Sequence, residues 1–298
     1  MSTGSLGLPA GAEPLEPAPG DDALELREIH GPSALGGGWK RSWDLLYLMA
    51  ATEFKRTYFA TALGYVWSVG RPLLLFGVLL LVFTKGLRIG AGVPHYPVLL
   101  LMNLVLFSYF QEGTNTALPA IVSNEAIVRK TQFPRLVIPV ASVLTAFFNV
   151  VLNLVVTFIF ILGFGVSPRW TWLLMPIVLA LLTVLTVAVA MILSSLYPRL
   201  RDLGIIWAVA STALFYGTPV LYALSFIHSH TFRQLIGFNP LTPILALAHK
   251  WIIDPHAPDP ATLVGTGPLL ASIAIYIAIC VIAVVVFRRE APKVAEAL

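Results

Sequence analysis

Between Val137 and Phe164 the chain carries no charged residue. That run is longer than the roughly 20 apolar residues a helix needs to cross about 30 Å of hydrocarbon. It places this segment in a bilayer as a helix, and the rest of the chain must fold around that fact. Composition extends the conclusion to the whole molecule: 57% of residues are apolar and only 11% are charged, against about 25% charged in ordinary soluble domains. The fold class expected is an all-α integral membrane protein. The basic residues flank apolar runs and form no separate basic domain, which argues against a nucleic-acid partner. The one cysteine, Cys280, lies in an apolar run. An intrachain disulfide and a cysteine-only metal site are therefore excluded. No charged segment followed by an apolar one opens the chain, so no cleavable signal peptide is expected.

Four regions follow from the distribution of charge and apolar residues. Residues 1–38 form an acidic tail with Glu13, Glu16, Asp21, Asp22, Glu25 and Glu28, broken by proline and by Gly36, Gly37 and Gly38; clustered like charge at low hydrophobicity predicts disorder. In residues 39–60, Trp43, Leu46, Tyr47, Ala50, Phe54 and Tyr58 recur at helical spacing. With Glu53, Lys55 and Arg56 this predicts an amphipathic helix at the membrane surface. Residues 61–290 hold six expected spans: Gly64–Thr84, Pro97–Val122, Val137–Phe164, Trp172–Tyr197, Leu203 to about Ile227, and Gly267–Phe287. Residues 291–298 form a short tail. Between the fifth and sixth spans, Ile244–Ile253 is apolar but too short to cross, which predicts a re-entrant or interfacial helix. Asn149 and Asn153 are four apart in an apolar helix, a spacing that puts both on one face and predicts an interhelical contact.

One charged island interrupts the hydrocarbon, from Asn124 to Pro139. It carries Glu125, Arg129, Lys130 and Arg135, and must lie in water or against a polar partner, because a charge at mid-bilayer costs several kcal/mol. Phe133-Pro134 ends any helix there, since proline turns the preceding residue away from the helical region. A short cytoplasmic helix with a basic C-terminal end is expected; the plainer alternative is an ordinary positive loop. Of the 19 Lys and Arg, only Lys85, Arg88, Arg169, Arg233 and Lys250 fall on the opposite side of the six spans. The positive-inside rule then places both termini in the cytoplasm, in a multi-pass protein of the cytoplasmic membrane.

The chain lacks the signatures of an energy source. There is no phosphate-binding Gly-x-x-x-x-Gly-Lys-[Ser/Thr] and no His-Glu-x-x-His. The histidines are scattered and no metal site is expected. Arg71 and Glu112 are the ionisable residues inside the expected spans, fewer than a proton relay wants. No catalytic residues are expected. If cargo moves uphill, the energy comes from another subunit. An integral membrane enzyme acting on polyprenyl-linked sugars is the competing class, and the polar group Gln111, Glu112 and Asn115 is all that favours it.

Five segments carry a resemblance. Leu63-Gly-Tyr-Val-Trp67-Ser-Val-Gly-Arg-Pro72-Leu-Leu, Val128-Arg-Lys-Thr-Gln-Phe133-Pro134-Arg135-Leu-Val-Ile-Pro139, Tyr197-Pro-Arg-Leu-Arg201-Asp202, Thr218-Pro219-Val220-Leu-Tyr222 and Asn239-Pro240-Leu241-Thr242 resemble, in order, motifs of ABC-type polysaccharide export permeases. The acidic tail departs from that pattern, and Arg71 stands where a neutral residue is expected. The resemblance implies a half-transporter, with two copies of this chain and two of a separate ATPase that binds ATP and Mg. No cofactor belongs to the chain itself. It implies cargo built on a polyprenyl pyrophosphate carrier, of the O-antigen or cell-wall galactan type, with teichoic acid, lipid or drug export as alternatives. It assigns ATPase coupling to Glu53, Lys55, Arg56, Glu125, Arg129, Lys130, Phe133, Pro134 and Arg135. It also places spans one and five on the channel of the dimer, where Trp67, Phe76, Trp207, Phe215 and Tyr216 offer faces for sugar rings. Interfacial anchoring is the ordinary use of such aromatics.

Overall fold

The computed structural model describes residues 39–59, 64–86, 94–125, 135–227 and 229–297, and all regular structure among them is helical. The acidic tail and residues 126–134 of the charged island lie outside the described residues.

Helix α1, Trp39–Phe59, lies against α5, Val137–Gly163. Its inner stripe is Leu46 and Ala50, four residues apart on one face and both buried. The Thr145 hydroxyl donates to the Ala50 carbonyl at 3.3 Å, and Tyr47 and Phe54 meet Phe148 edge-on at 6.2 and 5.8 Å. Helix α2, Gly64–Leu81, contains Pro72 and passes into a π-helical turn, Val82–Gly86.

Helix α3, Tyr96–Ala117, is the axis of the molecule. It packs along α5 and α6, Met175–Leu196, and touches α2 and α7, Leu203–Gly217. Leu99, Leu100, Leu101, Met102, Leu104 and Leu106 are at most 1% exposed. In lipid such burial is held by packing rather than by water expulsion, so close fit decides stability. On α3 the tightest fit is at Gly113, where a β-carbon would stand 2.8 Å from Thr186 Cγ2 on α6.

Leu118 and Pro119 end α3, and a single turn, α4 (Ala120–Ser123), completes the stretch expected as span two. Beyond α7 come α8 (His230–Gly237) and α9 (Leu241–Ala248), the latter continued by a π-helical turn, His249–Ile253. Then follow α10 (Pro260–Val264) and α11 (Thr266–Ala297), which packs along α6. Helix α11 runs on past residue 290, across the boundary expected for a separate tail.

Among the described residues, four helical stretches are long and apolar enough to cross a membrane: Val66–Gly86, Val137–Gly163, Trp170–Leu196 and Thr266–Glu290. Of the two other expected spans, α3 has the length but carries Gln111, Glu112, Asn115 and Thr116 in its last turns. Helix α7 is 15 residues long, about 22 Å of rise. It stops at Gly217, ten residues before the Ile227 expected from hydropathy. Thr218 is extended, with φ −105° and ψ 145°, the conformation that Pro219 imposes on its predecessor.

Candidate functional site

Two polar constellations and one open face stand out, and the first is centred on Glu112. Glu112 lies on α3 where it meets α5. Asn149 on α5 donates from Nδ2 to Glu112 Oε2 at 2.8 Å. Asn153, one turn on, donates to Asn149 Oδ1 at 3.2 Å and to the Asn149 carbonyl at 3.0 Å, and reaches the Ser68 carbonyl of α2 at 3.4 Å. Thr157 closes the row by donating to the Asn153 carbonyl at 2.8 Å. The interhelical contact expected from the Asn149–Asn153 face is present, and its partner is Glu112 of α3. Three helices are thus tied through one row of side chains. Such a row fixes geometry only if each member is satisfied.

A glutamine at 112 retains an acceptor for Asn149, whereas leucine strands a buried donor at about 1–3 kcal/mol. Glu112→Gln should keep the assembled chain within about 2 °C of its melting temperature and Glu112→Leu should lower it by several degrees, read by thermal unfolding in detergent. Equal loss in both variants would show that the charge, not the hydrogen bond, matters.

The second constellation surrounds the interruption after α7. The chain leaves the helical ladder at Thr218, and side chains from neighbouring elements take up carbonyls that it frees. Asn103 of α3 donates to the Pro219 carbonyl at 2.9 Å and the Tyr96 hydroxyl to the Leu221 carbonyl at 2.7 Å. The Tyr222 hydroxyl turns back to the Tyr216 carbonyl at 3.2 Å. Thr218 Oγ1 donates to the Leu214 carbonyl at 2.6 Å and accepts from Asn239 Nδ2 at 2.8 Å. Asn239 Oδ1 accepts from the Leu241 amide at 3.0 Å, and the Thr242 hydroxyl donates to the Ile236 carbonyl at 2.8 Å. The segments Thr218–Tyr222 and Asn239–Thr242, read from sequence as two separate motifs, form one hydrogen-bonded clamp. Asn103 and Tyr96 were missed from sequence. The signal was there for Asn103, a single amide in the apolar run Val98–Phe107, where polar side chains join helices.

The open face is on α7. Ile205, Ala208, Val209, Thr212, Ala213 and Tyr216 line a shallow groove of about 500 Å3, and Tyr216 is 63% exposed. The other face of α7 packs inward: Trp207 meets Phe110 at 6.2 Å and Phe215 meets Phe107 at 5.2 Å. Phe76 is buried against Phe160 at 6.2 Å, while Trp67 on α2 is 59% exposed. Of the five aromatics expected on a channel, Trp67 and Tyr216 are exposed, Trp207 and Phe215 are half-buried against α3, and Phe76 is buried. Arg71 is exposed on α2.

Among the expected coupling residues, Glu53 and Lys55 are exposed on α1, and Glu125 and Arg135 are half-buried. Arg129, Lys130, Phe133 and Pro134 lie outside the described residues, as does the side chain of Arg56. Beside the cytoplasm-expected loop between α6 and α7, Arg199 Nη1 sits 2.6 Å from Glu290 Oε2 of α11, and the Arg201 guanidinium lies over the Tyr197 ring at 5.4 Å. Among the described residues there is no group of three or more His, Cys, Asp or Glu placed to hold a metal ion.

Comparison with known proteins matches residues 44–250 to the family described as ABC-2 type transporter. An O-antigen export system permease protein RfbA of Klebsiella pneumoniae is 31% identical over 205 residues, covering 68% of this chain and 78% of that protein. The protein of the same name from Myxococcus xanthus is 28% identical over 255 residues, covering 85% of this chain and 95% of that one.

Proposed function

We propose a function from one premise: the chain belongs to the ABC-2 type transporter family and is a transport subunit, a permease of the polysaccharide-exporter kind. It moves a polyprenyl-pyrophosphate-linked polysaccharide, of the O-antigen or cell-wall galactan type, across the cytoplasmic membrane. The observation that carries this reading is its likeness to O-antigen export permeases along 78 to 95% of their length. In this reading two copies of the chain pair with two copies of a separate ATPase, which holds ATP and Mg. The exposed faces of α2 and α7 meet across the pair. Trp67 and Tyr216 offer stacking faces to sugar rings, and the α7 groove offers them a neutral wall. The test is depletion of the chain in its own host. Lipid-linked polymer should accumulate in the inner leaflet while its synthesis continues. Unchanged surface polymer on depletion would reject the reading.

Six spans with both termini in the cytoplasm complete the arrangement. It is supported by the charge distribution and tested by cysteine labelling in a Cys280→Ala background. His256→Cys should react with an impermeant maleimide in intact cells and Leu200→Cys should react only after lysis; both positions are exposed. Labelling of Leu200→Cys in intact cells would reverse the orientation.

Coupling is assigned to the Glu125–Arg135 stretch together with Glu53, Lys55 and Arg56. A partly buried charge pair with the ATPase loses about 2–5 kcal/mol when one member is removed, but below about 1 kcal/mol if it is rim-exposed. Arg129→Glu with Lys130→Glu should leave the permease inserted and weaken co-purification of the ATPase at least tenfold. Unchanged stoichiometry would reduce the stretch to a positive loop.

A further inference from the structure

Beside the clamp, α3, the segment after α7 and the Leu241–Ile253 helix line a half-open cavity of about 30 Å3, whose lining includes Leu99, Asn103, Pro219, Tyr222, Ala246 and His249. Two buried polar atoms on this lining, Asn103 Oδ1 and His249 Nε2, have no hydrogen-bond partner in the protein. Asn103 is 3% exposed. Its amide orientation is fixed, because Pro219 O can only accept and so requires Nδ2; the free atom is therefore an acceptor. His249 begins the π-helical turn His249–Ile253, a backbone irregularity frequent at functional sites.

We propose that this cavity is a binding site for ordered water, which bridges Asn103 Oδ1 to His249 Nε2 and joins α3 to the helix after the clamp. Volume selects the occupant. One water needs about 10–15 Å3 on this measure, so two or three fit and a sugar ring does not. Chemistry selects it too. An anion is repelled by the free amide oxygen. A cation finds neutral groups and no carboxylate on the lining, and burying an uncompensated charge is costly. Water donates one proton to Asn103 Oδ1 and either donates to or accepts from the imidazole, so it suits both tautomers. Burial holds the His249 pKa below its usual value, opposed by the nearby Asp254 carboxylate; the ring is neutral at pH 7 and retains one accepting nitrogen. The site does not depend on what the transporter exports.

The test uses the full chain in lipid nanodiscs and reads thermal unfolding. A dry cavity gains from filling, and a wet one loses, because the intruding methyls displace the water and leave Asn103 Oδ1 unpaired. Ala246→Val should lower the melting temperature by about 2–4 °C. His249→Gln, which keeps a polar atom near Nε2, should melt with the wild type, and His249→Phe should melt several degrees lower. The proposal falls if Ala246→Val melts at or above the wild type, or if the Gln and Phe variants melt together. Should the Phe variant fail to fold, a wild-type map that resolves ordered solvent decides. Density between the two atoms supports the bridge, and its absence overturns it.

Discussion

Gly113→Leu should abolish a stable, monodisperse permease. The side chain must enter the closest approach of α3 and α6. A β-carbon at 113 would already stand 2.8 Å from Thr186 Cγ2, with Ala146 Cβ and Val143 Cγ2 each at 3.7 Å on its other sides. Thr186 cannot turn away without loss, because its hydroxyl donates to the Leu182 carbonyl at 2.7 Å. Overpacking of this kind costs about 1–3 kcal/mol and occasionally more; four added carbons belong at the upper end. Replacing glycine in a helix returns only about 1 kcal/mol. The net is a loss of about 2 kcal/mol or more at the molecule's central contact. Gly113→Ala carries the same propensity gain and a smaller clash, so it should come close to neutral. Size-exclusion profile and melting temperature of the two variants check this. A Leu variant that elutes and melts as the wild type would mean that the α3–α6 approach is looser than the geometry describes.

Asn103→Leu is the second large effect. The replacement keeps the branching at Cγ and the number of heavy atoms, but Pro219 loses the donor that satisfies its carbonyl. A buried carbonyl without a partner costs about 1–3 kcal/mol. Tyr96→Phe removes the matching bond to the Leu221 carbonyl with even less change of shape. Each single variant should stay inserted and lose several degrees of melting temperature. The double variant should release the segment after α7 and lose export altogether. The bonds share one short segment, so the effects should be non-additive. Additive effects, with export intact in the double variant, would show that the segment needs no clamp.

Much of the helical layout was legible in the sequence, because a membrane helix announces itself by length and hydropathy. Val137–Phe164 and Trp172–Tyr197 are within a few residues of their observed helical stretches, Val137–Gly163 and Trp170–Leu196. The amphipathic spacing of residues 39–60 has its counterpart in α1, Trp39–Phe59. The fifth span was read too long because Val220 and Leu221 are as apolar as the helix before them. Hydropathy registers transfer free energy, and the helix ended for a different reason, the steric demand of Pro219 on Thr218. The inward turn of Trp207 and Phe215 was equally hidden. Both aromatics lie on the face of α7 that α3 covers, and sequence alone does not reveal which face a neighbour takes. The Asn149–Asn153 pair was visible as a spacing, yet its meeting with Glu112 depends on the register of α5 against α3, a tertiary fact. Asn103 could have been found, since a lone amide in ten otherwise apolar residues needs a partner.

The interruption after α7 also bears on mechanics. A continuous helix transmits a push along its own hydrogen-bond ladder. Here the ladder ends at Gly217, and the next carbonyls are held from the side by Asn103 and Tyr96, both on α3. A force applied near Asp202 therefore reaches the far end of the chain through α3. Helix α7 is about 22 Å long, and the segment that follows it is tied to α3. A tilt of about 10° about the clamped end would move its N-terminal end by roughly 4 Å, and would have to shift Trp207 against Phe110. The groove beside Tyr216 sits close to the clamped end and would travel least, whereas the face around Ile205 and Ile206 would sweep the widest arc.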